Sequence, residues 1–368
     1  MNAAVRTPYK IEQKVWPERY ARGWHVIGTP DQFTDKPQRL EHFGKRLVAY
    51  RGDDGAVHVL DSYCPHMGAD LSKGTVNGSS LVCPFHSWSW GADGVCDHIP
   101  YAKKIPDKAV IGSWPTLEKN GLVMVWNDHE GNPPIPEYEP KDLEGTGTDQ
   151  QWTDWVMSQF TINTHCRELV DNMADCAHFG PVHYTDVKSF SNEQEGHTFT
   201  QYMVGGNPLL TEGEVLMTTI AHYEGPAYMI TKLNGMMDGA PMKVDLLVSH
   251  VPVNTEQFII NFGVRMLKNP ALTEEQNREI VDQYTQQTIT SFEQDVEIWD
   301  NKILIENPIL CDGDGPVNML RKWYDQFYMD VADVPERLTA HKTHTTLEGI
   351  SVEEAIAANA NAVRESVA

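Results

Sequence analysis

Two short motifs constrain this chain more than anything else in it: Cys64-Pro65-His66 and, sixteen residues further on, Cys83-Pro84-Phe85-His86. Two thiols and two imidazoles at that spacing form a metal-ligand set. Two chemistries compete for it. A structural zinc ion takes two cysteines and two histidines, but zinc fingers usually pair CxxC with HxxxH. CxH followed by CxxH on two facing loops instead suits a [2Fe-2S] cluster in which histidines replace the cysteines on one iron, which raises its potential. Trp88, Trp90 and Gly91 follow the second pair, where they would cover such a cluster and limit water access.

The motifs sit among short alternating or apolar stretches (WHVIG, RLVAYR, AVHVLD, SLVCPF, GLVMVWND) punctuated by Gly, Asp and Asn. This pattern predicts a small antiparallel β domain over residues 21–130. Residues 1–20 read as a lead-in packing on a later domain. Residues 131–150, rich in Pro, Gly and acid and without periodicity, read as a connector.

A relay cluster implies an electron acceptor, and the second half of the chain offers one. Asp171, Asp175 and His178 fall at helical spacing, which predicts one polar face on a helix opening near Thr164. Gly180 and Pro181 are expected to stop or kink it, letting His183 swing back toward His178. Two imidazoles with one remote carboxylate and open positions make the facial triad of non-haem Fe(II) oxygenases. Thr273 to Gln276 is a capping box opening a long helix to about Ile305, with Thr288, Phe292, Asp295 and Trp299 on one face. A carboxylate between two aromatics is costly to bury unpaired, and metal ligation would remove that cost. Residues 152–162 and several stretches in 197–265 read as strands of one antiparallel sheet, so residues 151–344 form an α+β domain. Residues 345–368 read as an amphipathic or frayed tail helix.

The 52 acidic residues against 29 basic ones give a net charge of -23. Nucleic acid and anionic membranes would be repelled, and a soluble protein with a basic docking face is the expected partner. With no apolar run long enough for a bilayer and no signal-peptide core, a cytoplasmic location is expected. Cys96, Cys166, Cys176 and Cys311 read as buried thiols.

CPHMGADLSKGTV followed by VCPFHSWSW resembles the Rieske domain of terminal oxygenase subunits. The longer run from ARGWHVIG to VWNDHEGNPP, with QDVEIW and LRKWYDQFYMDVADV further on, resembles the oxygenase component of bacterial 3-ketosteroid 9α-hydroxylases, over roughly residues 21–334. That resemblance implies an all-β Rieske [2Fe-2S] domain followed by a helix-grip-like catalytic domain with an antiparallel sheet and flanking helices. It implies that Cys64, His66, Cys83 and His86 hold the cluster and that His178, His183 and Asp295 hold a mononuclear Fe(II). Asp175 sits one turn before His178, where its carboxylate would bond the nonligating ring nitrogen unless it is only a solvated helix residue; the resemblance implies that it carries electrons from His66 or His86 of a neighbouring subunit in a head-to-tail trimer, with Asn172 either supporting that shell or merely capping or packing. The implied partners are a flavin/iron-sulfur NAD(P)H-dependent reductase, O2 and a 3-ketosteroid hydroxylated at carbon 9. By matched position the pocket candidates are Gln201, Tyr202, Met229, Thr231, Phe292 and Trp299. Thr231 and Val248 depart from the asparagine that such hydroxylases tend to carry near the iron, so another steroid position or another apolar substrate stays open. A pure Rieske electron carrier would leave some two hundred residues beyond the cluster domain without a purpose.

Overall fold

Residues that alternate in character at period two, with turn formers every few positions, specify short paired strands. The computed structural model describes residues 8–146, 151–206, 216–237 and 240–367. Its first part carries β1 (Gly23–Gly28), β2 (Gln38–His42), β3 (Lys45–Arg51), β4 (Val57–Asp61), β5 (Thr75–Asn77), β6 (Ser80–Val82), β7 (Ser89–Trp90), β8 (Cys96–His98), β9 (Ser113–Trp114), β10 (Thr116–Lys119) and β11 (Leu122–Asn127). They form three antiparallel sheets, ordered β1-β11-β10, β2-β3-β4-β9 and β5-β6-β7-β8. The last of these packs Leu81 and Trp90 with Val48, Tyr50, Leu60 and Leu71 into a core that also holds Cys64 and Cys83.

The second part is built on one antiparallel sheet of eight strands: β12 (Val156–Ile162), β13 (Asp186–Glu195), β14 (Thr198–Gly206), β15 (Met217–Glu224), β16 (Tyr228–Met237), β17 (Ala240–Asn254), β18 (Gln257–Met266) and β19 (Lys342–Leu347). Their order is β12-β18-β17-β16-β15-β14-β13-β19. Alternation gives the sheet two buried faces. Leu247, Tyr228 and Ile230 pack against Trp24 and Val26 of the first domain, while Met229, Thr231 and Val248 face the opposite way, into a cavity. A long helix closes that cavity.

Among the described residues, six helices complete the chain: α1 (Arg167–Asp171), α2 (Phe179–His183), α3 (Glu274–Asn301), α4 (Val317–Asp325), α5 (Glu336–Thr339) and α6 (Val352–Val367). The capping box at α3 is as expected, with Thr273 accepting from the Gln276 N–H at 3.2 Å and Gln276 accepting from the Thr273 N–H at 2.9 Å. The helix ends at Asn301, short of Ile305. The expected single helix through Asp171, Asp175 and His178 is two short ones joined by a turn. Arg167, Glu168 and Asp171 are buried on α1, so its polar face is an internal ion-pair face. Arg321 grips Asp171 at 2.6 Å, and Lys302 meets Glu168 at 2.5 Å. Gly180 and Pro181 lie inside α2 instead of ending α1, because proline is tolerated in a first turn whose N–H groups lack helical partners.

Three further expectations need correction. Of the four cysteines expected to be buried thiols, Cys96 and Cys166 are buried, but Cys176 is half-buried and Cys311 exposed. Trp152 makes only an isolated bridge to Leu267, and the strand starts at Val156. The tail is not merely a frayed end helix: residues 342–347 form β19 on β13, and Val352 and Ala355 of α6 pack against Val204, with Tyr202 and Ile220 beside them. The expected lead-in and connector lie outside the described residues at 1–7 and 147–150. The remaining lead-in runs along the second domain, Gln13 bridging Ile305 and Trp16 stacking on His165 at 4.2 Å. The two domains meet at β1, where a Cβ at Gly23 would stand 2.3 Å from Pro226, a close approach that needs glycine.

Candidate metal centres

The two cysteine-histidine loops are near copies in backbone terms. Cys64 donates its N–H to Ala69 at 2.9 Å and accepts from the Gly68 N–H at 2.8 Å; Cys83 donates to Trp88 at 2.8 Å and accepts from the Ser87 N–H at 3.1 Å. Gly68 and Ser87, at matching places, both take positive φ, 76° and 55°. Each loop thereby turns its cysteine into the core and its histidine outward. Cys64 and Cys83 are buried, unoxidised and close enough to interact, and burial pushes the Cys64 thiol above its usual range. The rings of His66 and His86 stand 4.7 Å apart. His86 Nδ1 is buried without a hydrogen-bond partner, and Trp88 stacks on His66 at 4.6 Å.

The second centre gathers around the turn between α1 and α2. His178, His183 and Asp295 bring one donor atom each to within 4.8 Å of one another. Asp295 is buried on α3, and its Oδ2 is 3.1 Å from His183 Nε2. The histidine rings are 5.2 Å apart at 79°. Each has a partner on its other nitrogen: His178 Nδ1 donates to the Asp175 carbonyl at 2.6 Å, and His183 Nδ1 lies 3.3 Å from Ser291 Oγ. The first contact fixes the His178 tautomer with Nε2 toward the centre. The expected bond from the Asp175 carboxylate to this ring nitrogen is replaced by one from its own carbonyl, the carboxylate being 3.8 Å away and taking the His178 N–H instead. Burial alone would raise the Asp175 carboxyl, but the His178 ring and the nearby N–H groups outweigh it and hold it below its ordinary value. Burial likewise opposes the His178 proton, while Asp175 and then Asp295 raise its pKa overall.

The donors sit on the wall of a cavity with about 1200 Å³ of empty space, partly open to solvent. Its lining is mostly apolar. Period-two alternation supplies Gln201 and Met203 from β14, Met229, Thr231 and Leu233 from β16, and Val248 from β17; α3 supplies Tyr284, Thr288, Phe292 and Trp299. Asn172 also reaches the wall. Tyr202 does not. One step along β14 from Gln201, it points to the other face and donates to Glu193 Oε2 at 2.9 Å. Sequence reasoning missed Ser291, Met203, Leu233 and Tyr284; Ser291 and Tyr284 sit one turn and three turns before Asp295 on α3, a helical step that could have found them.

A family model for the 3-ketosteroid 9α-hydroxylase C-terminal domain matches residues 125–328, and one for the Rieske [2Fe-2S] domain matches residues 23–115. The oxygenase component of a 3-ketosteroid-9-alpha-monooxygenase from Rhodococcus rhodochrous is 42% identical over 90% of this chain and 87% of that one. The chain belongs to this family of oxygenase components. A member from Mycobacterium tuberculosis is 40% identical over 88% of this chain and 86% of its own. Among solved structures, dicamba monooxygenase bound to dicamba superposes with a TM-score of 0.65 at 17% identity, covering 84% of this chain and 98% of that one. NdmA of Pseudomonas putida with caffeine gives 0.66 at 17%, covering 88% and 96%. These two share the fold. The chain is therefore a Rieske-type monooxygenase component, α+β, with a [2Fe-2S] domain at its N-terminal side.

The residues present fit the metal groups. At the first centre, two buried reduced thiols and a buried His86 Nδ1 without a partner are what a cluster would satisfy. At the second, ligand bonds of about 2.1 Å meeting at a right angle put donor atoms about 3 Å apart, and His183 and Asp295 have that separation. Among the described residues one other cluster, His129, Glu130 and Asp330, meets the same distance test. Arg22 and Arg19 already neutralise it, which leaves no place for a cation.

Proposed function

We propose that this chain is the terminal oxygenase of a two-component monooxygenase that hydroxylates a 3-ketosteroid at its 9α position in steroid catabolism. The observation that carries the reading is the His178, His183 and Asp295 set on the wall of a large, mostly apolar cavity. Cys64, His66, Cys83 and His86 would hold the Rieske cluster, and His178, His183 and Asp295 one Fe(II). When bound, the cluster relays single electrons and the iron activates O2, so that one oxygen atom enters a C–H bond and the other leaves as water.

The chain's own groups do the positioning. The Asp175 carbonyl and Ser291 orient the two imidazoles, and the triad's single-sided arrangement leaves room for O2. Met229, Val248, Phe292 and Trp299 offer flat apolar walls, with Gln201 and Thr231 as polar anchors. Asp175, ionised and partly exposed beside His178, is assigned the electron bridge from a cluster histidine of a neighbouring subunit in a head-to-tail trimer. The electron donor is a flavin/iron-sulfur NAD(P)H-dependent reductase, and the location is cytoplasmic, where such a cofactor is available.

The test is reconstitution with reductase, NADH, O2 and a panel of 3-ketosteroids. A 9α-hydroxylated product is expected; coupled turnover only at another carbon or only on non-steroids overturns the substrate assignment.

A further inference from the structure

The net charge of -23 predicts a basic partner, yet one exposed segment of the cluster domain has the opposite sign, next to the acidic Asp93 and Asp97. Between Ile99 and Val110 the chain reads IPYAKKIPDKAV, three lysines against one aspartate. Lys103, Lys104 and Lys108 are all exposed, and Asp107 lies 3.6 Å from Lys104. The segment is fixed and not a loose loop. Ile99, Ala109 and Ile111 are buried in the cluster-domain core, Ile105 packs on it from the middle of the loop, and Ala109 donates to the Pro106 carbonyl at 2.9 Å.

The same loop carries a path inward. Tyr101 is 62% exposed, and its hydroxyl accepts from Trp88 Nε1 at 2.7 Å. Trp88 then stacks on the His66 ring at 4.6 Å and 12°. One exposed phenol, one hydrogen bond and one ring stack thus lead from solvent to a cluster-ligand position. His86 does not share this route; Phe85, 58% exposed, packs on it at 3.7 Å.

We propose that Tyr101 and the lysines around it form the docking surface for the protein electron donor, which meets it with an acidic face, and that electrons reach the cluster through Trp88 and His66. This rests on the assignment of the cluster to Cys64, His66, Cys83 and His86. Local charge complementarity decides the orientation of an encounter that the overall charge would otherwise oppose, because screening confines each charge to about 8–10 Å. The step balances simply. One electron leaves the donor's reduced iron-sulfur centre, which is oxidised, and the Rieske cluster is reduced by one; no bond forms or breaks, and Tyr101 and Trp88 keep their oxidation states.

The test follows the visible bleaching of the oxidised cluster in anaerobic stopped flow, with prereduced plant-type [2Fe-2S] ferredoxin as an acidic donor and methyl viologen radical as a cationic one. The triple variant Lys103→Glu, Lys104→Glu, Lys108→Glu should slow the ferredoxin reaction at least tenfold at about 0.1 M salt, with the difference vanishing at high salt, and should leave the viologen reaction equal or faster. Tyr101→Ala should slow the ferredoxin reaction and spare the viologen one, and carbodiimide should cross-link ferredoxin to Lys103, Lys104 or Lys108. No bleaching of the native cluster by ferredoxin, equal ferredoxin rates in native and charge-reversed protein, or cross-links only elsewhere would overturn the proposal. Absence of the cluster spectrum in native protein would instead refute the cluster assignment.

Discussion

His183 is held from two sides, by Asp295 at 3.1 Å and Ser291 at 3.3 Å, so removing either neighbour tests a different thing. Replacing His183 with Ala should abolish mononuclear iron and turnover while keeping the cluster's visible spectrum, as read by iron analysis and absorbance. Loss of both would mean that the ligands have been divided wrongly between the centres. Ser291→Ala is expected to weaken iron binding by about 10–100-fold, the usual effect of losing a partner that orients a ligand; metal titration of the apoprotein reads it. Asp175→Asn keeps the carbonyl that orients His178 and removes only charge. It should retain both metals and lose at least about tenfold in turnover, a 1.4 kcal/mol rise in barrier, and full turnover would end the bridging role. At this scale the sequence is most legible. The CxH and CxxH spacing singles out Cys64, His66, Cys83 and His86, whereas the step from His178 to His183 is weak and Asp295 needs the resemblance of QDVEIW as well; Tyr202 falls on the wrong side of its strand because one residue along the chain reverses the face.

Elements explain what residue types could not foretell. Asp171, Asp175 and His178 have helical spacing, but Asp171 is drawn to Arg321 of α4 and the chain breaks after it into the turn that aims His178. Nothing in the local pattern announces a partner 150 residues away. The turn is also pinned from outside. Gly315 takes φ +91° just before α4, and a Cβ there would stand 2.0 Å from the Ala174 carbonyl oxygen, while Cys176 donates to Asp314 at 3.2 Å. Gly315→Ala should therefore cost about 1–3 kcal/mol, seen as a lower midpoint in denaturant, and should lower iron occupancy more than cluster occupancy because the displaced turn carries His178. Equal loss of the two metals would mean that the strain spreads through the whole chain. The long α3, by contrast, is readable from its capping box and its repeat of Thr288, Phe292, Asp295 and Trp299, since periodicity and cap agree with the tertiary packing.

The whole molecule depends on a junction that buries histidines. His25 of β1 has Nδ1 3.1 Å from the His250 carbonyl and Nε2 3.2 Å from the Ala21 carbonyl, and it is fully enclosed where the two domains meet. Burial lowers its pKa to about 4 against the backbone contacts that favour the proton, and burial followed by the charge of His25 lowers His42 to about 4 as well. In the unfolded chain both rings titrate at 6.5. The folded state binds fewer protons, so stability is complete above that value, declines as pH falls from about 6.5 toward 4, and loses nothing further from these two rings below it. A tenfold loss of proton affinity on folding is worth about 1.4 kcal/mol per ring, so the two together account for a decline of up to several kcal/mol. Urea midpoints measured from pH 7.5 to 4.5 should fall steadily in the native protein. In His25→Asn, whose side chain carries no titrating proton, the slope should be shallower even though the variant starts from a lower midpoint. An unchanged slope would show that the acid sensitivity of the junction comes from other groups, with His250 of β17, also pulled well below its ordinary value by burial, the next ring to replace.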